Sequence, residues 1–306
     1  MTILLLGKNG QVGWELQRAL APLGGLVELN RYGDNNLCGD LSDLEGLQAT
    51  VRHLKPDVIV NAAAYTAVDK AEEEHELATR INADAPAVLA EEANALDALL
   101  VHYSTDYVFD GSGHASWREA DTPGPLNHYG ASKLAGERHI QSSGCRHLIL
   151  RTSWVYAVNG PNFLATMVRL MRDHEALQVI DDQIGAPTGA ELIADGTAHA
   201  IRQCQADDSR GGLYHLVAGG ETSWHGYATF IARYLKEQGV AIQTTPERIQ
   251  SIPTRDWPTP AQRPLNSRLD TTALENEFSL SLPHWQDGVA RVLHETLRQS
   301  ASDRSS

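Results

Sequence analysis

Tyr129 and Lys133 stand four residues apart in a stretch that reads as helix, so their side chains share one face. Together they make an acid. A phenol with a pKa near 10 gives up its proton poorly at neutral pH, and an ammonium beside it stabilises the phenolate and draws that pKa toward the working range. Thr105 lies at the end of an apolar run, within Ser104-Thr105-Asp106, where it can present a hydroxyl at a strand end. Ligands of open α/β sheets collect there. Taken alone, a tyrosine and a lysine at this spacing on a helix mostly serve structural roles. The third element is a glycine loop, Gly7-Lys8-Asn9-Gly10-Gln11-Val12-Gly13, between an apolar run and an amphipathic segment. One glycine can make the turn, one can let the backbone approach a pyrophosphate, and one can let helix and strand pack closely. The helix start then offers free N–H groups and the positive end of its dipole. Without a ligand the same loop is only a tight turn; its place between strand and helix favours dinucleotide binding.

The elements that must hold these residues alternate from the start. Thr2–Leu6 reads as a strand, Gln11–Ala21 as a helix, Leu26–Asn30 as a strand, Ser42–His53 as a helix with Ser42 as N-cap, and Asp57–Asn61 as a buried strand. A helix from about Glu74 to Asn94, strand Leu99–Ser104, helix Asn127–Ser143 and strand His147–Thr152 continue the rhythm. Strands separated by helices imply parallel pairing and right-handed crossovers, hence an α/β, Rossmann-type doubly wound sheet with a smaller C-terminal substrate domain. Beyond Thr152 come helix Phe163–Asp173, strand Gln178–Ile180, a turn at Ala186-Pro187-Thr188 and helix Ala190–Gln203. Strand Gly212–Val217 is expected to return to the sheet. This gives a dinucleotide-binding part, 1–157 with 189–218, a substrate-binding part, 158–188 and 219–299, and a disordered tail, 300–306. The proline-rich stretch Ser251–Pro264 is an ordered loop over a site or a plain connector.

Composition narrows the partners. Twenty-five Lys and Arg against 39 Asp and Glu give a net charge of −14, which argues against a broad nucleic-acid surface. No run approaches the roughly 20 apolar residues of a membrane span, and Thr2–Leu6 lacks the flank and cleavage site of a signal peptide. Cys38, Cys145 and Cys204 are odd in number and far apart, which excludes a disulfide scaffold and fits a reducing cytosol. The histidines form no zinc pattern.

Around the glycine loop, an acid that would grip the NAD ribose is expected at the end of the second strand. This chain has Asn30-Arg31. Arg31 either pairs with a 2′-phosphate, which leans the preference toward NADPH over NADH, or points to solvent. Asp40, before Leu41, either meets an adenine amine or merely flanks a helix. Arg255, Arg263 and Arg268 are either phosphate holders or ordinary surface arginines.

The glycine loop, Asn61-Ala-Ala-Ala-Tyr-Thr-Ala-Val-Asp69, Ser104-Thr-Asp-Tyr-Val-Phe-Asp-Gly111, Tyr129-x-x-x-Lys133 and Arg151-Thr-Ser-Trp-Val-Tyr156 together resemble the extended short-chain dehydrogenase/reductases. Within them the chain resembles the reductases of dTDP-linked 4-keto sugars. The likeness continues through Asp182-Gln-Ile-Gly-Ala-Pro-Thr188, Gly212-Leu-Tyr-His-Leu216 and Pro258-Thr-Pro-x-x-Arg-Pro-x-Asn-Ser267 to Trp285, nearly the whole chain. One departure is Asn30, where some relatives carry an acid.

The resemblance implies hydride transfer from NADPH or NADH to the C4 ketone of a dTDP-6-deoxy-4-hexulose, supplying a precursor for lipopolysaccharide. Tyr129 would protonate the nascent alkoxide, Lys133 would hold the nicotinamide ribose and lower the Tyr129 pKa, and Thr105 would hydrogen-bond the ketone oxygen. Gly7, Gly10, Gln11, Val12, Asn30, Arg31, Asp40, Leu41, Ala63, Ala64, Tyr65 and Tyr103 would line the cofactor. Asp106 and Trp154 would face the sugar, although Trp154 suits core packing equally. The resemblance further implies a cytoplasmic homodimer with Mg²⁺ held at its two-fold contact by Glu15, Glu191 and Glu295.

Two rivals share the fold. A sugar-nucleotide dehydratase or epimerase would recycle the hydride, but dehydratases carry Thr-Asp-Glu where this chain has Thr105-Asp106-Tyr107. A non-catalytic NADP-binding regulatory subunit would have no chemical need for Thr105, Tyr129 and Lys133 together.

Overall fold

The computed structural model describes residues 1–302. The chain runs β1 (Thr2–Leu6), α1 (Gln11–Leu20), β2 (Gly25–Leu29), α2 (Leu44–Leu54), β3 (Val58–Asn61), α3 (His75–Thr79), α4 (Ala85–Leu96), β4 (Leu99–Thr105), α5 (His128–Ser142) and β5 (His147–Thr152). It continues through β6 (Val155–Tyr156), α6 (Phe163–Asp173), β7 (Leu177–Ile180), β8 (Ile184–Gly185), β9 (Thr188–Gly189), α7 (Ala190–Ala206) and β10 (Gly212–His215). Last come β11 (Thr222–Ser223), α8 (Trp224–Glu237), β12 (Ile249–Ile252), α9 (Thr272–Phe278) and α10 (Trp285–Ser302).

Six strands form one parallel sheet in the order β10-β5-β4-β3-β1-β2. The chain leaves β1 for β2 on one side and later returns to β3 on the other. The switch point therefore lies between the ends of β1 and β3, and a crevice opens there. Ile3, Leu4, Leu5 and Leu6 are wholly buried because helices cover both faces of the sheet. One face packs against α1, α7 and α9 through Leu16, Ile193 and Phe278, the other against α2, α4 and α5 through Leu47, Leu89 and Ile140. A separate core gathers α6, α8 and α10 around Met171, Tyr227, Trp285 and Val289. β10 does pair with β5, with Tyr214 opposite Leu150.

Several expectations need correction. Helix α2 is capped by Asp43, whose carboxylate accepts from Gly46 N at 3.0 Å; Ser42 is drawn away because its amide and hydroxyl both donate to Asp40. The long helix expected from Glu74 to Asn94 is broken by a π-helical turn over Arg80–Asp84. Pro86 follows that turn and has no N–H to bond the Asn82 carbonyl, so the regular ladder lapses there. α9 was expected in the substrate-binding part, yet Leu274 and Phe278 bury against the sheet. α10 runs past the Gln299 boundary to Ser302; the rest of the expected tail, 303–306, lies outside the described residues.

Candidate active site

Gly7 ends β1 at φ +89°, a conformation that suits only glycine, and a Cβ there would stand 2.8 Å from Ala63 N. A Cβ on Gly13 would collide with the Gly7 carbonyl. Helix α1 then starts on Gly10, which has no side chain to cap the first-turn amides. Those donors and the dipole end face the crevice entrance, an arrangement that fits a pyrophosphate. Gln11 accepts from Asn162 Nδ2 at 3.0 Å and so ties the loop to the start of α6, while Val12 packs against the core.

At the end of β2, Asn30 Oδ1 accepts from Tyr32 N at 2.9 Å. Arg31 is 74% exposed and reaches Asp40 at 3.4 Å. Burial opposes ionisation of Asp40, but the Ser42 amide and hydroxyl and the Arg31 charge outweigh it and hold the carboxyl below its usual range. Asp40 is thus engaged within the protein, and the Leu41 side chain is buried in the core. Across the crevice, Asn61 Oδ1 accepts from Ala63 N at 3.2 Å. The π-helical turn brings Asn82 to hold Tyr65 by both its backbone N and O, at 2.9 and 3.1 Å, and to donate to Ser132 Oγ of α5 at 3.0 Å. The Ala63-Ala64-Tyr65 segment is therefore clasped to the helix that carries Tyr129.

Helix α5 is capped by Asn127, whose Oδ1 accepts from Gly130 N at 2.8 Å and whose Nδ2 donates to Gln262 O at 2.8 Å. Tyr129 is half-buried with Tyr107 edge-on to its ring, the centroids 5.7 Å apart. The Thr105 hydroxyl donates to Asp106 Oδ1 at 3.0 Å and accepts from Tyr107 N at 3.2 Å, and it lies near enough to the Tyr129 hydroxyl to hold the pKa of that phenol down. Thr105, Tyr129 and Asp106 thus meet at the carboxyl end of β4. Asp106 is 2% exposed with Oδ2 unpartnered, and burial pushes its pKa up to about 6 despite hydrogen bonds from Ser267 and Thr105.

Lys133 departs from expectation. It is 2% exposed, and its Nζ donates to Tyr103 O at 2.5 Å and lies 3.1 Å from His102 Nε2. Burial pushes its pKa down to about 8, against an opposing pull from Glu137. Tyr129 is not made more acidic: burial pushes its pKa up to about 12, countered by Thr105 and reinforced by Asp106. The amine is directed at β4 rather than at the phenol. Tyr103 also differs, offering the site its carbonyl while its hydroxyl turns away to Thr197 on α7, 2.8 Å.

On the opposite wall, Trp154 adopts φ +47°, strained for a bulky residue. It stacks on Trp224 with centroids 3.6 Å apart, over Gly185, where a Cβ would come within 2.9 Å of the Trp154 ring. Of the three arginines, Arg263 is partly buried and pairs with Asp69 at 2.8 Å, fastening the proline-rich stretch across the crevice; Arg268 pairs with Glu221 at 2.6 Å, and Arg255 is exposed. The stretch is thus an ordered loop over the site. Asn61, Asn82 and His102 had no role assigned from the sequence; the signals on offer were a polar residue closing β3, an asparagine four residues before Pro86, and a histidine inside the apolar run of β4.

The three acids that the resemblance assigns to Mg²⁺ were expected at a two-fold contact between protomers, and within one chain they do not gather into a cluster of three. Glu15 pairs with Arg18 at 3.6 Å, Glu191 is influenced by Arg291 as well as Glu15, and Glu295 is exposed. Among the described residues no three His, Cys, Asp or Glu gather to hold a metal.

With this geometry in place, comparison with known proteins is specific. The family model described as the RmlD substrate binding domain matches residues 1–298. The dTDP-4-dehydrorhamnose reductase of Salmonella typhimurium is 54% identical over 295 residues, covering 96% of this chain and 98% of the relative. The crystal structure of the Clostridium acetobutylicum dTDP-4-dehydrorhamnose reductase superposes with a TM-score of 0.85 at 32% identity, covering 96% of this chain and 99% of that one. The Bacillus anthracis dTDP-4-dehydrorhamnose reductase, solved in complex with NADP, gives 0.84 at 32% identity with the same coverage. The chain belongs to the family of the dTDP-4-dehydrorhamnose reductases.

Proposed function

We propose that the chain reduces the C4 ketone of dTDP-4-dehydro-L-rhamnose with NADPH to give dTDP-L-rhamnose. The observation that carries this is the meeting of Thr105 and Tyr129 beside a glycine cradle whose helix start has no side-chain cap. Bound NADPH supplies the hydride. Gly7, Gly10, Gln11 and Val12 hold its diphosphate, and Arg31, exposed and only loosely paired, can turn to a 2′-phosphate. Ala63, Ala64 and Tyr65 line the nicotinamide side.

Thr105 orients the ketone oxygen, and Tyr129 donates its proton as that oxygen gains charge. A phenol with a pKa near 12 is fully protonated at neutral pH and still far more acidic than an alcohol, so it is ready to give a proton to an alkoxide. The neighbouring Asp106 carboxyl and the Trp154–Trp224 stack border the sugar, and Arg263 closes the proline-rich stretch over it. Residues 1–157 and 189–218 form the cofactor part; 158–188 and 219–299, apart from α9, form the substrate part. Among the described residues no helix is long and apolar enough to cross a membrane. A homodimer accords with the family but adds nothing to the crevice chemistry.

The test is the decay of NADPH absorbance with freshly made dTDP-4-dehydro-L-rhamnose and with the UDP-linked analogue. Turnover with the first and little with the second supports the reading; no oxidation with either removes it.

A further inference from the structure

Trp224 is held from three directions. It opens α8 directly after Ser223, whose Oγ accepts from Gly226 N at 2.9 Å and donates to Asp181 Oδ1, so the backbone at the helix start is fixed. Its ring meets Phe163, centroids 4.6 Å apart, at the margin of the core formed by α6, α8 and α10. Its Nε1–H donates to Gln183 Oε1 at 3.1 Å.

An indole N–H only donates, so the direction of every bond beyond it is set. Gln183, 5% exposed, turns its oxygen to Trp224 and its nitrogen to Thr254 Oγ1, 3.1 Å away, and the Thr254 hydroxyl in turn donates to Asp182 Oδ1. The chain of donors ends on a carboxylate. Each member is satisfied in one orientation, which makes such a network rigid. Because Thr254 belongs to the proline-rich stretch, the loop over the crevice and the indole are fixed together.

Against this fixed ring lies Trp154, nearly parallel at 13° with centroids 3.6 Å apart. Its φ of +47° persists in a bulky residue only where the surroundings impose it, and here they comprise the bond from Thr188 N to its carbonyl and the stack itself. Trp154 stands two residues past Thr152, the strand partner of Thr105. One glycine separates its ring from the reacting end: a Cβ on Gly185 would come within 2.9 Å of the Trp154 ring and 3.2 Å of Ser267, and Ser267 is a group that favours ionised Asp106.

We propose that Trp224 is a positioning residue, aimed by Gln183, that sets the tilt of the Trp154 indole against the hexose and so governs how tightly the sugar half of the substrate is held. Its effect rests on the reading above, in which Trp154 borders the sugar, and not on the hydride step. Dispersion contact falls off steeply, a gap of 0.5–1 Å forfeiting about a quarter to a half of it, so a changed tilt is enough to loosen the sugar.

Calorimetric titration of the full chain, saturated with NADP⁺, with dTDP-L-rhamnose and with dTDP alone tests the proposal. The wild type should bind the sugar nucleotide more tightly than dTDP. Trp224→Leu should weaken dTDP-L-rhamnose about tenfold and leave dTDP within about twofold, and Trp224→Phe, which keeps a ring on Trp154, should recover most of the loss. Placed in a Trp154→Ala chain, Trp224→Leu should cost nothing further, since it acts only through Trp154. Equal weakening of both ligands, no weakening of either, or a further loss without Trp154 overturns the proposal, because damaged packing would do the first and the last. So does a wild type that binds dTDP-L-rhamnose no better than dTDP, for there is then no grip on the sugar to set. Gln183→Leu leaves every ring in place and serves where Trp224→Leu does not fold; it should weaken only the sugar nucleotide, about threefold, and unchanged affinity removes the aiming role. Binding that follows this pattern in a protein that reduces no keto sugar removes the reductase reading and leaves the stack's role standing.

Discussion

The Glu137 carboxylate holds the Arg151 guanidinium through two hydrogen bonds of 2.9 and 2.6 Å, both side chains buried, one turn beyond Lys133 on the same face of α5. Arg151 also lies 4.9 Å over the Phe109 ring. The pair pins the helix bearing Tyr129 to strand β5. Removing one partner leaves a buried charge alone, so Glu137→Ala should cost about 3–5 kcal/mol. The urea midpoint would measure this, and replacing both residues by leucine and methionine should recover most of the loss. A single variant as stable as the wild type would show that the pair is dispensable.

Gly13 sits inside α1, where alanine ordinarily gains about 1 kcal/mol over glycine. The contact with the Gly7 carbonyl reverses that sign, since neither backbone can yield easily. Gly13→Ala should lower the melting temperature and weaken NADPH binding about tenfold or more, as read by nicotinamide fluorescence. A stabilised variant with unchanged affinity would mean that the loop and helix are not closely packed.

Tyr129→Phe keeps the ring beside Tyr107 and removes only the hydroxyl. General acid help is worth roughly 10²–10⁴-fold, so kcat should fall within that range while NADPH affinity changes only a few-fold. A rate within a few-fold of wild type would assign the proton to another donor, with Asp106 next in line.

His215 is fully buried on β10, with Nδ1 3.2 Å from Asp270 O and Nε2 unpartnered. Burial, aided by the charge of Arg151, pushes its pKa down to about 3. The unfolded chain takes up this proton near pH 6.5 and the native one does not, so stability falls as pH drops through that window, by an amount on the order of 4 kcal/mol. Urea midpoints at pH 7 and pH 4 should show a smaller loss for His215→Leu than for wild type. Equal losses would place the acid sensitivity elsewhere.

Much of this was legible in the residues. Buried runs such as Leu4–Leu6 and Leu148–Leu150 announce parallel strands because both of their faces are covered, and Gly7, Gly10 and Gly13 announce the turn that must follow the first. The placement of Tyr129 near Thr105 follows from helix spacing and strand ends. What spacing could not convey was direction. Lys133 shares a face with Tyr129, yet its long side chain finds the Tyr103 carbonyl and His102, partners fixed only by the β4–α5 packing. The π-helical turn was likewise hidden, since Pro86 signals an interruption but not that Asn82 would use it to clasp Tyr65. Arg263 looked like any surface arginine until Asp69, distant in sequence, was seen to face it.

The central claim is direct hydride delivery to C4 of the sugar with a proton from Tyr129. NADPH carrying deuterium at nicotinamide C4, turned over with dTDP-4-dehydro-L-rhamnose, tests it in one product analysis. The account predicts one deuterium, bound to C4 of the rhamnosyl product. Product free of deuterium, or carrying it at another carbon, would contradict it.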